Sequence, residues 1–338
     1  MATTNPIDSR NMTEASVSYN NIFAPNYSVT GIRQDAGTGG AVIITGSYST
    51  SDNKQPQALL YRGPLYPTNS SGYIYLKPSF PNQTVTTSVF YGPNTSLYDP
   101  NIPAGNVRAV GSYKYCEDGG TVDHGMMYQG SLDGVGSWTQ INMPDFVARG
   151  SVAFTIPHST MGDLVVGNYD LHQPASANAF IFNVKTGVYT RMSVGALTTA
   201  YGIWQNDNPC GISYTIAGGF RDGNDINVGY LVDYDAASGN FSNLTRFSYN
   251  NQPGIITHFE GITAFKNGYS LAAEGDAGAA FATVPRNSDG SFGYAQWVPV
   301  RNTATTGFST GNSVIDNNLI GIYQPGSGIQ SYVAGVQV

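Results

Sequence analysis

Apolar and polar residues alternate along this chain in short runs broken by Gly, Asn, Asp and Pro, a period that predicts β-strands and turns rather than helices. The clearest stretch holds four such runs in succession: Tyr201–Gln205, Ser213–Phe220, Val228–Tyr234 and Phe241–Tyr249. We label them A, B, C and D.

Strand B recurs at Val42–Tyr48, Val107–Tyr113, Leu164–Tyr169, Leu271–Gly275 and Leu319–Tyr323, with its glycine at Gly46, Gly111, Gly167, Gly219, Gly275 and Gly321. Strand C recurs at Ala58–Tyr61, Gly125–Tyr128, Ala179–Phe182, Gly229–Val232, Ala280–Thr283 and Gln330–Val333. Six copies about 50 residues apart fit an all-β fold, a six-bladed β-propeller with four-stranded blades. The blades are expected at about 27–80, 84–143, 148–195, 198–249, 256–300 and 305–338. The sixth copy ends without an outer strand, and the segment 14–23 is otherwise unassigned, so the N-terminal strand is expected to complete the last blade. That closure would make residues 1–338 a single domain with no open sheet edge.

Composition narrows the function classes. Only 11% of the 338 residues are Asp, Glu, Lys or Arg, against roughly 25% in an ordinary soluble domain. The net charge is −7, which leaves no basic face for a phosphate backbone, so nucleic acid is not an expected partner. No stretch reaches the ~18 apolar residues of a membrane-spanning helix, and no membrane partner is expected. Asn-x-Ser/Thr sequons at Asn11, Asn26, Asn69, Asn82, Asn94, Asn240 and Asn243, on a surface rich in uncharged polar residues, predict a secreted glycoprotein whose leader has been removed and to which Met1 was added. Cys116 and Cys210 allow one disulfide at most and are expected on opposite faces, unpaired. The expected assembly is a monomer or weak oligomer.

The B-to-C pattern of Gly-x-Tyr/Phe, a polar loop, then a small residue and an apolar-apolar-aromatic triplet is seen in Asp123–Tyr128 and Asn178–Phe182. It resembles the HAF-type repeats of exported proteins. The His of that pattern remains only at His124, so the resemblance implies the blade and not an activity.

In a propeller the A strands line a central channel, and the D-to-A and B-to-C loops surround one mouth. The six B-to-C loops differ in composition, which suits one asymmetric small-molecule pocket better than a sugar site repeated in every blade. Aligning A strands on a leading glycine puts Thr30, Arg149, Tyr201, Glu260 and Thr306 in one ring, with His258 two residues before Glu260. His258, Glu260, Arg149 and Tyr201 are therefore the expected catalytic residues, His258 with Glu260 transferring a proton near neutral pH. Asp170, His172, Glu274, Arg221, Tyr115 and Phe259 are expected to bind substrate. His158 is expected in an A-to-B loop on the opposite face, in a structural role. Glu117, Asp118, Asp123 and His124 offer metal-ligand chemistry without a recognised spacing, so no metal is assigned. No Gly-x-Ser-x-Gly elbow, Walker loop or dinucleotide fingerprint occurs, and no cofactor is expected.

In size, composition and sequons the chain is similar to the fungal hetero-Diels–Alderases of tropolone sesquiterpene pathways. That resemblance implies dehydration to a quinone methide followed by cycloaddition. The reading is a cofactor-independent enzyme acting on a small, largely apolar molecule by elimination, cyclisation or cycloaddition. The alternatives are a carbohydrate-binding or glycoside-hydrolysing propeller using carboxylates among Asp170, Glu260 and Glu274, and a non-catalytic extracellular binding module.

Overall fold

The computed structural model describes residues 16–337 apart from 38, 50–54, 68–70, 175, 207–210, 277, 301–306 and 327. Its strands form six four-stranded antiparallel sheets arranged as a β-propeller. The inner strands are Tyr27–Gln34, Val85–Thr95, Val152–Met161, Ala196–Gln205, Thr257–Phe265 and Ser313–Ile315. Each packs against the next, and the sixth packs against the first. Blade 6 is built from both ends of the chain: Ser16–Ile22 pairs in register with Gln330–Gln337, followed by Asn318–Tyr323 and Ser313–Ile315.

Burial follows position in the blade. The second strand of blade 3 begins Leu164-Val-Val-Gly with every residue buried, because a middle strand is covered by a blade on each side. The outer strand of blade 4, Asn240–Phe247, is almost wholly exposed. Large aromatics fill the wedges, with Phe90 stacked on Trp138 in blade 2 and Phe259 on Trp297 in blade 5, both at 5.8 Å.

Five inner strands share one irregularity. Their register slips between Val29 and Gly31, Phe90 and Gly92, Pro157 and Ser159, Ala200 and Gly202, and Phe259 and Gly261. Each slip is a β-bulge whose extra residue is re-aimed out of the ladder. The residue after the bulge is small because the neighbouring blade's backbone touches it: a Cβ on Gly31 would lie 2.1 Å from the Tyr91 carbonyl oxygen. The repeating strand-B glycine has the same kind of cause, since a Cβ on Gly46 would meet the Ser28 carbonyl oxygen at 1.8 Å. In blade 4 the residue in that position is Gly218, one before the Gly219 expected from sequence.

Two further expectations change. Blade 3 does not begin its inner strand at 148, because Asp145–Ala148 form one helical turn and the strand starts at Val152. Asn94 is fully buried, donates to the Gly162 carbonyl and accepts from the Thr95 N–H, so this sequon cannot carry a glycan in the folded chain. Asn243 donates to Asp233 at 2.6 Å, whereas Asn26, Asn82 and Asn240 are exposed without such a contact to an acid. Asn11, Asn69 and Cys210 lie outside the described residues, and Cys116 is a free, exposed thiol. Among the described residues no helix is long and apolar enough to cross a membrane.

Candidate functional site

The bulges converge. Thr30, Tyr91, His158, Tyr201 and Glu260 are the five extra residues, and with Asn312 they give one side chain from each blade to a cavity of about 160 Å³ inside the channel. The same cavity is lined by Glu274 and Arg33.

Arg33 crosses the channel. It leaves the inner strand of blade 1, donates to Ser159 Oγ in blade 3 at 3.4 Å and to the Ile203 carbonyl in blade 4 at 3.1 Å, and lies 5.7 Å over Trp204. A side chain that spans the ring in this way narrows the channel below the bulges.

The acid–base groups belong to blade 5. His258 Nε2 and Glu260 Oε1 are 2.6 Å apart. Glu274 sits on the adjacent strand directly across from His258, and ligand atoms of all three groups lie within 4.8 Å of one another. Burial, and then the charge of Glu260, push the Glu274 carboxyl up to about 7, with only His258 acting in the other direction. For His258, burial is the largest influence and opposes the charged form, yet the charge and hydrogen bond of Glu260 with the charge of Glu274 outweigh it and raise the pKa. Its Nδ1 is buried without a hydrogen-bond partner.

The rest of the ring stays neutral. Burial brings the His158 imidazole down to about 4, so it is uncharged near neutral pH. Burial also raises the phenols of Tyr201 and Tyr91, which leaves both as hydroxyl donors. The His158 ring packs between them, 4.8 Å from Tyr91 and 4.5 Å from Tyr201, and Tyr201 lies 5.6 Å from the His258 ring. The set of one imidazole and two carboxylates has the chemistry of a divalent-cation site as well as of a proton relay.

Of the residues expected in the site, the channel brings together His258, Glu260, Tyr201 and Glu274. Asp170 stands at its margin, half-buried and with a carboxyl raised by that burial, close enough for its charge to act on Tyr201. Arg149 is elsewhere: it is the exposed residue that ends the helical turn, with φ 60°, and His158 holds its expected place in the ring. Thr306 lies outside the described residues, and the blade 6 position belongs to Asn312. Phe259 is fully buried between blades against Phe247 and Trp297 and cannot touch a ligand in the cavity. Arg221 is exposed and pairs with Asp225 at 2.9 Å. Tyr115 and His172 line a separate rim cavity of about 330 Å³ beside Asp118, Asp123 and His124. Glu117 turns away from that group to bind Thr84 through its N–H and hydroxyl.

His158, Tyr91, Asn312 and Arg33 were not expected in the site. The available signal was a small residue after the bulge, which reads Gly31, Gly92, Ser159, Gly202 and Gly261, with Ser313 in the matching place of blade 6.

No family model matches the chain, and no curated protein does, so neither the HAF-type nor the Diels–Alderase resemblance gains a match there. Among solved structures, YCF48 from Cyanidioschyzon merolae is similar with a TM-score of 0.40 and 9% identity, over 93% of this chain and 85% of that one. The propeller assignment rests on the closed ring of six four-stranded sheets itself.

Proposed function

We propose that the protein binds a small polar molecule inside the channel and moves a proton on it, the simplest reaction being elimination of water. The observation that carries this reading is the convergence of Glu274, His258 and Glu260 within 4.8 Å of one another, with both carboxyls lining the channel cavity. A carboxyl that burial keeps protonated toward neutral pH, beside a second carboxyl hydrogen-bonded to an imidazole, is suited to the acid and base roles of one reaction. Glu274, with its pKa near 7, gives its proton to the departing hydroxyl, and the Glu260 carboxylate, held by His258, accepts the proton removed from carbon. Tyr201 and Tyr91 donate hydrogen bonds to the oxygen that gains charge.

Cavity size refines the substrate. About 160 Å³ is below the ~300–1,000 Å³ of sites for drug-sized ligands, which favours a molecule of few heavy atoms over a terpenoid undergoing cyclisation or cycloaddition. The glycosidase alternative needs carboxylates on opposite sides of the scissile bond. Glu260 and Glu274 come from neighbouring strands of one blade and approach from the same wall, while Asp170, on blade 3, does not line the cavity.

The test is NMR of small hydroxy and carbonyl compounds incubated with the protein in D2O, reading loss of water or replacement of C–H by C–D. Turnover by the wild type that falls about 100-fold or more in Glu260→Gln supports the reading. Turnover equal in the variant, or none above buffer across the panel, overturns it.

A further inference from the structure

We infer that the ligand of this cavity carries an anionic group, a carboxylate in the simplest case, and that Arg33 receives it. The inference rests on the proposed proton-transfer reading and adds the chemistry of the ligand's other end.

Arg33 is 4% exposed, lines the cavity and has no carboxylate within ion-pair distance among the described residues. Its acceptors among the described residues are all neutral: the carbonyls of Ile32 and Ile203 and the hydroxyl of Ser159. Its Nε is buried without a partner. The chain treats its other fully buried guanidinium differently, since Arg108 pairs with Asp99 at 2.8 Å, and the half-buried Arg286 likewise pairs with Asp233. A buried cation without a counter-charge is costly unless something supplies one. Burial lowers Arg33 to about 10, which leaves it charged at neutral pH.

The two poles of the cavity then select a ligand. A planar guanidinium matches a carboxylate through its fork of donors. Glu260 and Glu274 line the same cavity from blade 5, and neither forms an ion pair with Arg33 among the described residues. A ligand that satisfies both poles is acidic at one end and exchanges a proton at the other. In so small a cavity that describes a short-chain hydroxy or keto acid.

The test uses the full-length protein with 13C-labelled acetate as probe and acetamide as its neutral counterpart, at fixed ionic strength. Binding is read by NMR titration and by the shift in thermal midpoint. The expected result is that acetate binds and raises the midpoint and that acetamide does neither. Arg33→Met should weaken acetate binding at least tenfold while folding as well as the wild type, because the isolated buried charge is gone. Arg33→Lys, which keeps the charge and loses the fork, should fall between them and serves if the Met variant does not fold. Glu260→Gln should still bind acetate, so a failure of the proton-transfer reading is separable from a failure of this one. No acetate binding by the wild type, equal binding of acetamide, unchanged affinity in both Arg33 variants, or equal displacement of acetate by equimolar chloride would each overturn the inference.

Discussion

Two histidine–carboxylate pairs in this protein have nearly the same geometry and opposite surroundings. At the rim, His124 Nε2 and Asp118 are 2.7 Å apart with side chains 20% and 18% exposed; in the channel, His258 Nε2 and Glu260 are 2.6 Å apart with 20% and 19%. Exposure therefore does not distinguish them; their neighbours do. Asp118 also accepts the Gly120 N–H, while Asp123 beside it accepts from Ser112 and pairs with Lys114 at 3.2 Å. The rim carboxylates are satisfied by the loop they hold in place. In the channel Glu274 faces Glu260 with burial raising its pKa, and among the described residues the Nδ1 of His258 lacks a partner and Arg33 lacks a carboxylate. An arrangement left incomplete by the protein's own groups is the one suited to a ligand.

The largest expected effect separates the two pairs by activity. With a substrate identified by the deuterium screen, the double variant His258→Ala with Glu260→Gln should lose about 100-fold or more of turnover. His124→Ala with Asp118→Asn should stay within about twofold, as expected of groups outside the reacting centre. Steady-state rates of the three proteins decide it, and an equal loss from the rim variant would erase the distinction drawn between the pairs.

Next in size is an effect on stability with pH, where two channel groups act in opposite directions. Glu274 has a folded pKa of about 7 against an ordinary 4.5, so the folded state holds its proton more tightly and stability is lost as pH rises from 4.5 through 7. His158 has a folded value of about 4 against 6.5, so the folded state resists protonation and stability is lost as pH falls from 6.5 through 4. In the wild type these slopes largely offset each other over that window. Glu274→Gln should expose the acid lability set by His158 and be more stable than the wild type at pH 8. His158→Phe should expose the alkaline lability set by Glu274. Urea midpoints between pH 4.5 and 8 measure both, and a wild-type profile unchanged by either substitution would contradict the assignment of these charges to the channel.

How much of this was legible in the sequence depends on how a residue is presented. The blades could be read because middle strands are apolar without interruption and the strand-B glycine is required by a neighbouring carbonyl, as at Gly46. Tyr201 and Glu260 could be placed because each precedes a glycine pressed against the next blade. The same rule misplaced Arg149, since Gly150 follows a helical turn and faces the Leu171 side chain rather than a neighbouring inner strand. It missed His158 because the small residue there is Ser159. Arg33 was hidden for another reason. Which residues below a bulge face the channel depends on the slip itself, and periodicity does not record a slip of one. The remaining sign was a charge inside the otherwise buried stretch Val29–Ile32 and Arg33, in a chain with only 15 Lys and Arg.

The smallest expected effect tests the other half of the comparison, that the rim pair holds a loop. Asp118→Asn keeps an oxygen for the Gly120 N–H and removes the charge that faces His124, so the loss should be that of one hydrogen bond to a charged group in a half-exposed setting, about 1 kcal/mol. The change should be local. Amide exchange at Gly119 and Gly120 should quicken, because the turn after Cys116–Asp118 loses part of its anchorage, while exchange in the inner strand Thr257–Phe265 stays at the wild-type rate. Glu117, bound to Thr84 by two hydrogen bonds, keeps the other end of the loop fixed and limits how far the opening spreads. If exchange instead quickened in the channel strand, the rim and the channel would be one coupled network, and the contrast between a satisfied pair and an unsatisfied one would have to be redrawn as two states of a single site.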